Sequence, residues 1–137
     1  MPIKVLAIDD DPALVELLAI ILTSQGFSVK TTTFGEEGVK LVREFDPDII
    51  LLDLMMPGMN GWEVCASVRK FSTIPILILS ALDNPGNVAS ALDAGADDYL
   101  VKPVPSGVLV AHINNLTRRS AITNPKGSLS QASPAMA

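Results

Sequence analysis

Asp9, Asp10, Asp53, Ser80 and Lys102 are the residues of this chain best suited by type to do chemistry, and each follows a short apolar run. If the first and third of those runs are neighbours, three carboxylates converge. Their mutual repulsion would be relieved by a hard divalent cation. Mg²⁺ is the natural ion, because one or two carboxylates hold it and its other positions stay open to waters and phosphate oxygens. Transfer of a phosphoryl group onto an Asp carboxylate spreads negative charge over equatorial oxygens, so positioning and countercharge supply most of the catalysis. The ammonium of Lys102 can pair with one such oxygen and the hydroxyl of Ser80 can donate to another.

For these residues to meet, the runs before them must lie side by side. Five runs recur: Val5 to Ile8, Ser28 to Thr32, Ile49 to Leu52, Ile74 to Leu79, and Tyr99 to Val101. Four are almost continuously apolar rather than alternating, as in a parallel sheet covered on both faces. Ser28 to Thr32 is more polar and suits an edge. Helical patterns separate them. Asp11 before Pro12 reads as an N-cap followed by proline at the first helical position, and Gly26 ends that helix. Phe34, Gly38, Leu41 and Phe45 mark one face of a second helix, and Val64, Cys65 and Val68 one face of a third. Val88 and Leu92 before Gly95 mark a fourth, and Leu109, Ile113 and Leu116 a fifth. The alternation predicts a doubly wound α/β fold with right-handed crossovers, whose ligands gather outside the carboxyl ends of the strands.

The chain has 137 residues and is 48% hydrophobic, which fits one domain with a single continuous core. We expect that domain over 1–119 and a flexible tail or linker over 120–137, where Ser, Ala and Pro dominate. The formal net charge of -5 argues against direct nucleic-acid binding by this chain, which requires clustered Lys and Arg. All 15 acids lie in residues 1–98, so the C-terminal end presents a different face to partners. A lone cysteine, Cys65, excludes an internal disulfide, and no apolar run approaches the roughly 20 residues that span a membrane. With no signal-peptide pattern at the start, the expected setting is cytoplasmic.

Taken in order, the polar signals resemble the response-regulator receiver family of two-component signalling. The pattern reads Ile8-Asp9-Asp10-Asp11-Pro12, then Leu51-Leu52-Asp53-Leu54-Met55-Met56-Pro57-Gly58-Met59-Asn60-Gly61, then Leu79-Ser80-Ala81, then Gly95-Ala96-Asp97-Asp98-Tyr99-Leu100-Val101-Lys102-Pro103. Matches in order cover roughly residues 3 to 119. The resemblance implies a flavodoxin-like sheet of strand order 2-1-3-4-5 with five helices. It makes Asp53 the phospho-acceptor, served by a sensor histidine kinase or a histidine phosphotransfer protein. Asp10 and Asp53 would ligate Mg²⁺ directly, with the backbone carbonyl of Met55 as third protein ligand and Asp9 acting through water. It further implies phosphoryl-binding or switch roles for Ser80, Ala81, Lys102 and Tyr99, and a cis peptide before Pro103. Ser80 would swing toward the phosphoryl group, Tyr99 would move inward, and the face of helix 4, strand 5 and helix 5 would change for an effector domain or protein.

Each residue also has a plainer reading. Asp11 is better read as a cap than as a metal ligand, and Asp53 alone would read as a turn residue. The set of strand-end groups outweighs that reading for Asp53. Cys65 and Trp62 read as packing residues, and the single histidine, His112, excludes a histidine-based metal cluster or an internal phosphohistidine relay. A haloacid-dehalogenase-type phosphatase would place a second acid two residues after its nucleophile, where this chain has Met55, so the chain reads as a switch rather than a turnover enzyme. A flavodoxin-like cofactor binder needs a phosphate-cradling loop after the first strand, and Asp9-Asp10-Asp11 would repel a phosphate there.

The Gly95 to Pro103 segment is similar to that of receivers attached to winged-helix DNA-binding domains, and the residues after Arg119 are too few to form one. The resemblance to that subfamily implies a homodimer, but the fifth helix departs from its pattern with Val108 at the acidic position and His112 and Asn114 at two arginine positions. Asp97 and Arg118 remain.

Overall fold

The computed structural model describes residues 1–123. Strands and helices alternate along the chain: β1 (Lys4–Ile8), α1 (Pro12–Ser24), β2 (Ser28–Thr32), α2 (Gly35–Phe45), β3 (Ile49–Leu52), α3 (Gly61–Arg69), β4 (Ile76–Ser80), α4 (Pro85–Asp93), β5 (Asp98–Val101) and α5 (Ser106–Thr123). The five strands form one parallel sheet in the order β2-β1-β3-β4-β5. The doubly wound, flavodoxin-like arrangement is therefore the observed one.

The period of two along each strand splits the core into two layers. Val5 and Ala7, Ile49 and Leu51, and Leu77 and Leu79 pack with Leu18 and Leu22 of α1 and Leu109, Ile113 and Leu116 of α5. Leu6 and Ile8, Ile50 and Leu52, and Ile76 and Ile78 pack on the other face with residues of α2, α3 and α4. Both faces of β1, β3 and β4 are covered, which is why those strands are apolar at consecutive positions. Along α3, Val64, Cys65 and Val68 are fully buried, and burial pushes the Cys65 thiol up to about 11.

The boundary signal at Asp11 acts as expected. The Asp11 carboxylate accepts from the N–H groups of Ala13 and Leu14 at the start of α1. Asn60 and Glu63 form a reciprocal capping box at the start of α3.

The structure departs from the expected pattern at four places. β4 begins at Ile76, not Ile74, because Pro75 has no N–H to give the ladder, and Ser80 falls inside the strand. Phe34 is not on the inner face of α2. It is the residue before the helix and is exposed, while Gly35, Gly38 and Val42 face inward. Gly38 lets α2 approach β1 closely, since a Cβ there would lie 2.5 Å from Cδ1 of Ile8 and would displace that side chain. On α4 the buried residue is Ala91, and Leu92 is exposed, because the helix sits over the edge of the sheet with little to cover it. Finally, α5 continues to Thr123, past the expected boundary at Arg119, as no Gly or Pro interrupts the sequence between Gly107 and Pro125. The remainder of the expected tail, 124–137, lies outside the described residues.

Candidate functional site

The sheet ladder itself delivers the acids to one edge. Beyond the last paired residues, the Asp9 N–H donates to the Thr32 carbonyl (3.2 Å) and the Asp53 N–H to the Ile8 carbonyl (3.0 Å). The Lys102 N–H donates to the Ser80 carbonyl (2.9 Å). Asp9, Asp53 and Lys102 thus leave the carboxyl ends of β1, β3 and β5 with their backbones fixed by neighbouring strands.

Asp9, Asp10 and Asp53 each offer a carboxylate oxygen within 4.8 Å of the others. Asp9 and Asp53 are buried and Asp10 is exposed, so the cluster opens to solvent on one side. Asp9 is held at both oxygens: Oδ1 accepts from the Asp11 N–H (3.0 Å), and Oδ2 accepts from the Lys102 ammonium (2.7 Å). Lys102 lies farther from Asp53 Oδ2, at 3.7 Å, so its first partner is Asp9. The peptide between Lys102 and Pro103 is cis. Asp53 Oδ1 accepts from the Leu54 N–H (2.8 Å).

Burial holds the Asp53 carboxyl above the usual aspartate range, and the neighbouring Asp9 charge pushes in the same direction. Lys102 and the N–H groups of Leu54 and Met55 pull it down, less strongly. The cluster is therefore short of positive charge. Three carboxylates face one ammonium, all their free donor atoms are hard oxygens, and this set suits Mg²⁺.

The loop after β3 keeps Asp53 in place by close approach. Gly58 adopts φ +73°, and the Gly61 N–H donates to the Leu54 carbonyl (2.9 Å). A Cβ on Gly61 would lie 2.3 Å from the Asp53 carbonyl oxygen and 2.6 Å from Cα of Leu54, so α3 can begin this near the acid only with glycine. Met55, two residues after Asp53, is exposed and has no carboxyl group.

Ser80 ends β4 next to the site and is fully buried. Its hydroxyl accepts from the Leu82 N–H (3.2 Å) rather than meeting the carboxylates, and Ala81 is exposed between them. Tyr99 is not gathered with the acids either. Its ring packs against the α2–α4 side of the core, and its hydroxyl donates to the Leu82 carbonyl (2.6 Å). Leu82 thus joins Ser80 to Tyr99. That link runs through backbone atoms, which is why no side-chain pattern in the sequence pointed to it. Arg69 was also missed: it donates to the carbonyls of Gly95, Ser72 and Ile74 and to Asp97, closing the opposite end of the sheet.

Comparison with known proteins adds an independent line. A family model described as the response regulator receiver domain matches residues 5–114. The chain is 46% identical over 116 residues to the transcriptional regulatory protein AfsQ1 of Streptomyces coelicolor, covering 85% of this chain and 52% of that protein. It is 43% identical over 117 residues to the DNA-binding response regulator MtrA of Mycolicibacterium smegmatis, covering 85% of this chain and 51% of that one. The chain spans about half the length of the curated relatives it matches. Among solved structures, the BeF3-activated N-terminal receiver domain of Klebsiella pneumoniae RstA superposes with a TM-score of 0.81 at 32% identity, covering 84% of this chain and 98% of that one.

Proposed function

The chain belongs to the response regulator receiver domain family, which has a phosphoryl-accepting role in signalling, and from that premise we propose that Asp53 is the acceptor. The observation that carries this reading is the gathering of Asp9, Asp10 and Asp53, with oxygens within 4.8 Å, around a buried Asp53 that already faces an ammonium.

The donor is a phosphohistidine on a sensor kinase or a histidine phosphotransfer protein. A carboxylate oxygen of Asp53 attacks phosphorus, the O–P bond forms and the P–N bond breaks. The electron pair stays on the donor imidazole, which leaves neutral when its other nitrogen carries the proton. Lys102 turns from Asp9 to neutralise a phosphoryl oxygen, and the Ser80 hydroxyl donates to another. Asp10 and Asp53, with the Met55 carbonyl and with Asp9 through water, would hold Mg²⁺, and the ion when bound supplies countercharge to the phosphoryl oxygens. Later attack of water on phosphorus restores the Asp53 carboxylate and releases inorganic phosphate, so the chain catalyses its own charging and discharge but turns over no metabolite.

The output is a change of surface. Ser80, on moving toward the phosphoryl group, loosens its hold on Leu82, and Tyr99 follows inward. This alters the α4–β5–α5 face that an effector domain or protein reads. Relatives of twice the length include DNA-binding regulators, and DNA output here would need such a further domain. In homodimerisation through the same face Asp97 would be shared, because its Oδ2 already meets Arg69 of its own chain at 2.8 Å.

The test is intact mass after incubation with acetyl phosphate, with and without Mg²⁺, on the native chain and on Asp53→Asn. A single phosphoryl adduct that needs Mg²⁺ and disappears in the variant supports the reading. No adduct on the folded native chain, or an adduct retained by the variant, contradicts it.

A further inference from the structure

α4 is the least anchored helix of the fold. Of its nine residues only Ala91 is buried, whereas α3, of equal length, buries four. The loop that enters α4 is gripped at Leu82 by the hydroxyls of Ser80 and Tyr99. On its outer side α4 meets α3 through a different contact: the Trp62 indole N–H donates to the Ser90 hydroxyl at 3.1 Å. Ser90 uses its own proton on the Asn87 carbonyl (3.2 Å), so its oxygen is left to accept from Trp62. Among the described residues this is the one side-chain hydrogen bond that ties α4 to a neighbouring helix. The bonds of Arg69 fix Gly95 and Asp97, beyond the end of α4, and leave the helix itself alone.

We propose that the Trp62–Ser90 hydrogen bond is a latch that holds α4 in its resting position and sets how readily the switch turns. This rests on the reading of Asp53 as acceptor and of Ser80 and Tyr99 as the relay to Leu82. A shift of Leu82 pulls on the start of α4, where almost no buried apolar surface resists it, so the latch carries a large share of the opposing free energy. Loss of an exposed hydrogen bond of this kind shifts a two-state equilibrium by about twofold to tenfold.

The test uses the full chain with beryllofluoride and Mg²⁺ as a phosphoryl mimic, in the native protein, Trp62→Phe, Ser90→Ala and the double variant. Trp62→Phe keeps an aromatic ring but loses the pyrrole half of the indole with its N–H, whereas Ser90→Ala leaves the Trp62 packing intact and removes only the acceptor hydroxyl. Each single variant is expected to bind beryllofluoride about threefold more tightly, and the double variant no more tightly than either single. In the native chain the indole N–H resonance, the only one possible with a single Trp, is expected to shift and exchange faster with solvent when beryllofluoride binds. Single variants that bind like the native chain, or effects that simply add in the double variant, overturn the latch while leaving Asp53 as acceptor. Failure of the native chain to bind beryllofluoride overturns the acceptor reading and the latch together.

Discussion

Asp53 is buried beside Asp9, and its carboxyl holds its proton more tightly in the folded chain than in the unfolded one. With the folded pKa raised, stability falls as pH climbs from the ordinary aspartate range through the raised value. Asp53→Asn removes that burden. Without divalent cations at pH 7 the variant is expected to unfold at higher urea than the native chain, and the difference is expected to vanish below the ordinary aspartate range. Lys102→Met acts in the opposite sense, because it strips Asp9 of its 2.7 Å partner and leaves two buried carboxylates facing each other. The expected loss is about 2 kcal/mol by urea titration, less than for a wholly buried pair because the Lys102 side chain retains some exposure. The acids and the lysine were legible in the sequence because each is a charged group directly after an apolar strand. What could not be read was which acid the lysine chooses: the preference for Asp9 over Asp53 depends on an ångström of separation between strand ends. Ser80 and Tyr99 meet through the backbone of Leu82, a residue whose side chain carries no sign of the role.

The elements were predictable wherever both faces of a strand are covered or a cap is written in side chains, as at Asp11. They were misjudged where exposure decides. Leu92 lies on an exposed edge helix, and Phe34 stops one residue short of α2, where Gly35 sits close against Met59 and Val64 and Gly38 against Ile8 of β1. Trp62 reads correctly as a packing residue, but its partner Ser90 is 28 positions away and no local pattern joins them. Gly61 is the element junction with the clearest consequence. Gly61→Ala puts a methyl group against the Asp53 carbonyl and Leu54, backbone that cannot yield without moving the acceptor. Its expected cost is about 1–3 kcal/mol in thermal or urea unfolding. Phosphoryl uptake from acetyl phosphate should slow as well, since the clash displaces Asp53; an unchanged rate would mean that the β3–α3 loop does not position the acid.

Across the whole molecule the sheet gathers its unneutralised carboxylates at one end and closes the other with Arg69, so a ligand of positive charge stabilises the fold where it is least balanced. Mg²⁺ at ten times its dissociation constant is expected to add about 1.4 kcal/mol to the native chain, and clearly less to an Asp10→Asn variant, as read from thermal unfolding. Among the described residues no helix is long and apolar enough to cross a membrane. The receiver family model matches residues 5–114, and the chain spans about half the length of the curated relatives it matches. The switch itself depends on Asp53 accepting the phosphoryl group. Borohydride reduction of the acetyl phosphate-treated chain, followed by peptide mapping, tests that directly, because an aspartyl phosphate is reduced to homoserine. Homoserine at position 53 alone is the predicted result; homoserine at Asp9, Asp10 or any other aspartate, or none on a folded chain supplied with Mg²⁺, would contradict it.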